Sequence, residues 1–234
     1  MLSPEQTDQL VDSLLDALLT RSFHDITLRQ IAADAEMPLA EVLMQVSTKM
    51  ELLESYAARV DREVLAEDDP DMADEPVRER LFDVLMRRYD ALLPNKLSLI
   101  QLERDARRDP ALGVALIRIV SSSMKRMAVS AHVETDGLKG AMVLAGMMQV
   151  HGRVMRVWLD EEDKGQALTM AELDKALRQA EERVGDLESL ASILRGEKSL
   201  FAGDLLRNNP LCGLRERMRG RKDGDTLDDV VEAA

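Results

Sequence analysis

Residues 26–53, ITLRQIAADAEMPLAEVLMQVSTKMELL, decide how this chain folds. Apolar residues recur there at helical spacing, the pattern breaks at Glu36 and Met37, and it resumes from Pro38. Thr27 stands where an N-cap belongs, so a short helix is predicted over 27–35. A second short helix is predicted over 38–44, and a longer one over 47–66. Upstream, Ser3 and Pro4 are a cap and a first-turn proline, and Leu10, Val11, Leu14, Leu15 and Leu18 form one stripe, which predicts a helix over 4–21.

Helical periodicity continues beyond this head, and strand-like alternation is almost absent. Aromatic residues are only 3% while Leu, Ala and Met are abundant, so the fold class is all-α. Helices are expected over 77–93, 95–108, 111–132, 138–159 and 169–184, about nine to ten in all, with Pro94 and Pro110 at two of the junctions. The segment 67–76, EDDPDMADEP, carries two prolines and six acidic residues and reads as a solvated hinge. The expected division is therefore a head at 1–66, a helical body at 77–185, and a tail at 186–234. That tail holds a short amphipathic helix over 186–195, the basic run LRERMRGRK, and an acidic end expected to be disordered.

Two short helices joined by a tight turn, with a supporting helix before and a longer one after, form the arrangement that lays a recognition helix in the major groove. The stretch SFHDITLRQIAADAEMPLAEVLMQVSTKMELL resembles the TetR family of one-component transcriptional regulators, with Thr27, Ile31, Ala32, Ala35, Lys49, Leu52 and Leu53 at matching positions. The resemblance implies a helix-turn-helix head, a larger helical domain for ligand binding and dimerisation, and a homodimer on double-stranded DNA. Pro38, Leu39, Ala40, Leu43 and Met44 would read the groove, while Thr27, Arg29 and Lys49 would position the head on phosphates. Several positions depart from the family pattern: Glu36 stands in the turn where glycine is usual, Leu43 replaces a tyrosine that commonly touches phosphate, and Val46 replaces a phenylalanine.

Charge tests the same region. Residues 1–65 hold five basic and twelve acidic side chains, a balance of -7 within a chain of -13. Phosphate contact normally rests on clustered Lys and Arg. Leu39, Ala40, Leu43 and Met44 can touch a thymine methyl but offer no bidentate pair to guanine or adenine. A head of this shape without DNA affinity is the competing reading.

In the body, AMVLAGMMQVHGRVMRVWL is apolar nearly all round. By resemblance, the helices over 138–159 and 169–184 pair with their copies in a dimer, through Met142, Met155, Trp158, Leu173 and Leu177. Met124, Met127, Met147 and Met148, with His151, Tyr89, Leu97 and Ile100, are candidates for a pocket that takes a small apolar ligand or lipid, because thioethers repack around varied shapes. The same methionines also serve as ordinary core filler.

The stretch VWLDEEDKGQALTMAELDKAL loosely resembles the coenzyme Q biosynthesis accessory proteins, a TetR-like fold that holds lipid and does not bind DNA. That resemblance implies a lipid or isoprenoid carrier, with peripheral membrane contact through Arg215, Arg217, Arg219, Arg221 and Lys222. No catalytic residues, metal site or cofactor are expected. Ser122 and Lys125 make an S-x-x-K without companion motifs, the three histidines lack metal spacing, and Cys212 is the single cysteine. The N-terminus carries acidic residues where an export signal needs basic ones, so a cytoplasmic protein is expected.

Overall fold

The computed structural model describes residues 2–67 and 70–194, with side chains through Arg183. The chain divides into two units, Met1–Glu182 and Arg183–Ala234. The first holds α1 (Pro4–Leu18), α2 (Leu28–Asp34), α3 (Leu39–Leu43), α4 (Lys49–Ala66), α5 (Val77–Leu92), α6 (Lys96–Arg108), α7 (Pro110–Ser130), α8 (Gly137–Asp160) and most of α9 (Ala167–Leu194). Of the second unit, the structure describes the last turns of α9. The described residues contain helices and 3-10 turns and no strand. The 67–76 segment, expected to be an interdomain hinge, joins α4 to α5 within the first unit and makes a 3-10 turn at Pro70–Asp74.

Local chemistry sets the helix ends. Ser3 and Gln6 close a reciprocal capping box at α1, and Thr27 and Gln30 close another at α2. α1 stops at Leu18, short of the expected Arg21, and the Arg21 amide closes the end on the Ala17 carbonyl. α2 ends in a six-to-one turn: Met37 N–H donates to the Ala32 carbonyl at 2.8 Å and Glu36 N–H to that of Ala33 at 3.1 Å. That geometry demands a left-handed residue, and Glu36 adopts φ 54° to supply it. Gly140, in the first turn of α8, is required for a different reason: a Cβ there would lie 2.0 Å from the Thr135 carbonyl carbon. At α9, the buried Glu161 carboxylate accepts from the amides of Leu168 at 2.7 Å and Thr169 at 2.9 Å. α9 runs unbroken to Leu194, so the separate helix expected over 186–195 is the end of α9 as far as the described residues reach.

One continuous core joins head and body. Leu10, Leu14, Leu18, Ile26, Ile31, Val42, Val46, Leu52 and Leu53 fill the space between α1, α2, α3 and α4. Full burial of a side chain such as Ile31 contributes about 2–3 kcal/mol. Two buried polar bonds then tie the head to α6. Asp105 accepts from the Phe23 amide at 2.7 Å, and the Ser98 hydroxyl donates to the Leu15 carbonyl at 2.7 Å.

Deeper in the body, Asp61 of α4 holds three helices at one point. Its carboxylate accepts from Arg88 of α5 at 2.7 Å, from Arg126 of α7 at 2.7 Å, and from the Ser123 hydroxyl. Asp61 and Arg88 are both buried, and burial pulls the Arg88 guanidinium below its usual range against the support of Asp61. Arg88 Nε is buried with no partner, which makes the remaining bonds to Asp61 more important.

Candidate nucleic-acid interface

α2, the turn and α3 form the helix-turn-helix. Ile31 and Ala32 of α2 and Val42 of α3 point inward and fix the angle between the two short helices, and Ala35 packs half-buried beside them. With Val42 inward, the helical period turns its neighbours outward. Pro38 and Ala40 are exposed, Leu39 is half-buried, Leu43 is 51% exposed and Met44 is 83% exposed. This face is apolar and carries Glu41 at its edge.

Thr27 and Arg29 also lie on the surface, with the Thr27 hydroxyl engaged in the α2 cap. Lys49 is a correction to the expected phosphate grip. Its ammonium donates to the carbonyls of Phe23 and of Ile26, the latter at 2.5 Å, and lies 4.4 Å from the centre of the Phe23 ring. Burial pulls its pKa down, with Asp25 opposing, so this lysine braces the α1–α2 loop rather than offering its charge outward.

Two groups at this surface escape the sequence reading. Gln45, just past α3, is exposed, and it is the amide at the end of this face, with its Oε1 accepting from the Leu2 amide at 2.7 Å. An amide is the side chain that pairs bidentately with adenine. Glu51 sits in the first turn of α4, where its carboxylate accepts from the Ser47 amide at 3.1 Å and the Thr48 hydroxyl at 3.3 Å. The positive pole of α4, which attracts anions, is thus already met by an acid of the chain itself. A serine or threonine cap followed three residues later by Glu is a sequence signal that finds Glu51. Gln45 carries no signal beyond its helical phase.

No family model and no curated protein matches the chain. Solved structures do. A TetR transcriptional regulator from Nitrosomonas europaea is similar with a TM-score of 0.60 at 20% identity, over 74% of this chain and 96% of that one. The chain has the TetR fold. A TetR transcriptional regulator from Rhodococcus sp. RHA1 has a TM-score of 0.51 at 13% identity, over 75% of this chain and 94% of that one. A tetR-family regulator from Streptomyces coelicolor has 0.50 at 15%, over 92% and 99%. At these identities the likeness is one of architecture, and the TetR-like frame assigns α2 and α3 to the helix-turn-helix.

Within that TetR-like body, the residues expected to line a pocket differ in burial. Met124, Met127, Met147, Tyr89 and His151 are buried against one another and their neighbours in the core, Met148 and Ile100 are half-buried, and Leu97 is 70% exposed. The Tyr89 hydroxyl and His151 Nδ1 lie 3.3 Å apart, with their rings stacked, and Trp158 tilts against Tyr89. Burial, aided by the Arg88 charge, holds His151 down to about 3, so it is a neutral hydrogen-bonding group. Two surface hollows between α4 and α7 are lined by none of these residues.

The expected interface residues separate in the same way. Trp158, Leu173 and Leu177 are buried within the chain, and the Trp158 indole donates to Gln166 Oε1 at 2.8 Å, so these three build the protomer's own core. Met155 is half-buried and Met142 is exposed. Leu138, Met142, Ala145, Gln149 and Gly152 are exposed along one face of α8, and Leu168 and Met170 are exposed at the start of α9. Among the described residues no helix is long and apolar enough to cross a membrane, and no cluster of ligands could hold a metal ion. The basic run 215–222 and its expected membrane contact lie outside the described residues.

Proposed function

We propose that this chain is a TetR-like transcriptional regulator that binds double-stranded DNA as a homodimer and responds to a small ligand. The outward presentation of Leu43 and Met44 by a helix whose inward residue, Val42, is locked in the head core is the observation that carries the reading. Pro38, Leu39, Ala40, Leu43, Met44 and Gln45 form the reading face, and Thr27 and Arg29 flank it. Apolar contact with thymine methyls, together with the single Gln45 amide, favours A·T-rich half-sites. The dimer forms through the exposed faces of α8 and α9, where Leu138, Met142, Leu168 and Met170 are otherwise left in water. The chain performs no catalysis in this reading.

A second reading, a TetR-like lipid carrier without DNA binding, is favoured by the -7 balance of residues 1–65 and by Glu51 at the pole of α4. One experiment separates the two. The full chain is titrated against labelled duplexes from its own upstream region at 50 mM and 200 mM salt, and native mass spectrometry is run on the same sample. The regulator gives saturable retention of one duplex with a shallow salt slope, because few phosphates are neutralised, and Met44→Ala weakens it about five- to tenfold by removing an apolar contact with a base. Retention that is equal for all duplexes, or absent with a bound lipid mass present, rejects it.

A further inference from the structure

We propose that the hollow between α4 and α7 is a binding site for a free aliphatic carboxylate, the class of medium- and long-chain fatty acids. The site stands apart from the DNA-reading face, so either reading can fail without the other. The hollow is an open surface depression of about 590 Å³, lined by Leu65 of α4 and by Ser122, Lys125, Arg126, Val129 and Ser130 of α7. A second hollow adjoins it through Leu65 and Arg126 and adds Arg62 and Ala58. The volume lies in the range that holds small organic ligands.

Charge selects the occupant. In a chain of -13, three cations line the two adjoining hollows: Lys125 the first, Arg62 the second, and Arg126 both. The acid that lines the second hollow, Asp61, is already engaged, because it accepts from Arg88, Arg126 and Ser123 at once. Asp136 approaches Lys125 only to 3.8 Å and its side chain is 88% exposed, so water screens it. Arg126 is pinned through one Nη to Asp61, while half of its side chain remains in solvent. Such a held guanidinium is pre-ordered to meet a planar carboxylate.

Hydrophobicity selects the rest of the ligand. Leu65 and Val129 are exposed beside these cations, on facing helices, where an alkyl chain would cover them. An acid head next to an apolar floor fits an amphiphile better than it fits an inorganic anion or a neutral oil. The overall negative charge favours a free acid over an anionic bilayer, which would repel the chain as a whole.

The test is calorimetric titration of the full chain with decanoate, decan-1-ol and acetate, each kept below its aggregation or solubility limit. Decanoate is expected to bind with about micromolar to tens-of-micromolar affinity, at least about tenfold tighter than either comparison ligand. The paired variant Arg62→Gln/Lys125→Gln, at two exposed positions, should weaken decanoate about fivefold or more, and Val129→Asp about tenfold. Arg126→Lys keeps the charge beside Asp61 and should still lose several-fold, because the fork is gone. Circular dichroism of each variant confirms the fold. Equal binding of decanoate and decan-1-ol, binding unchanged in Val129→Asp, or no binding would each overturn the proposal. Co-sedimentation with phosphatidylglycerol vesicles that decanoate does not displace would overturn it as well, by showing a membrane-facing surface.

Discussion

The short helix α3 and the polar centre of the body use their residues in opposite ways. α3 is five residues long, opens on Pro38 without a side-chain cap, and commits only Val42 to the core. The α4–α5–α7 centre commits Asp61, Arg88 and Ser123 wholly to the interior, so each charge there is needed by another. The difference shows which parts of this TetR-like chain are free to vary. The exposed groups of α3, Ala40, Glu41 and Leu43, can change their chemistry while Val42 holds the core, and the head keeps its shape while carrying a net negative charge.

The largest effect that would break this comparison lies at the polar centre. Asp61→Ala leaves the buried Arg88 without a counter-charge, and the expected loss is about 3–5 kcal/mol in urea unfolding. A loss as small as that of a surface substitution would show that the centre is not locked.

A smaller effect comes from His151. In the unfolded chain it gains a proton near its ordinary value of 6.5, whereas in the fold it does so only at about 3. Between those values the unfolded state holds more protons, so stability falls as pH is lowered through the window, by up to about 1.4 kcal/mol per pH unit. His151→Gln keeps an acceptor for Tyr89 and removes this slope. Unfolding midpoints of variant and parent should therefore converge, and then cross or narrow steadily, from pH 6.5 to pH 4, and curves that stay parallel would refute the buried neutral imidazole.

The smallest effect is in the turn. Glu36→Gly relieves a left-handed side chain at the cost of a more flexible unfolded chain, for a net gain of about 0.5–1 kcal/mol. An unchanged or lower urea midpoint would show that the turn tolerates glutamate without strain.

The sequence made the head legible because caps and turns are local chemistry. Ser3, Thr27 and Pro38 mark helix starts through bonds that span three or four residues, and the structure places those starts within a residue or two. The site was less legible because side-chain fate is set by tertiary partners. Lys49 reads as a surface cation until the Phe23 and Ile26 carbonyls come within its reach. Helical period shows that Trp158, Leu173 and Leu177 are buried, but not whether a partner or the same chain buries them. Nor does it tell whether methionines surround a space or fill it. The α4–α7 hollow was invisible for a related reason: Arg62 on α4 is 63 positions from Lys125 and 64 from Arg126 on α7.

The bonds from Asp105 to the Phe23 amide and from Ser98 to the Leu15 carbonyl span 82 and 83 residues. Until the ribosome has released α6, the end of α1 and the loop after it lack these buried partners, and the cost of closing so long a loop is met late in synthesis. A head that looks self-sufficient in sequence therefore matures only after α6 has emerged.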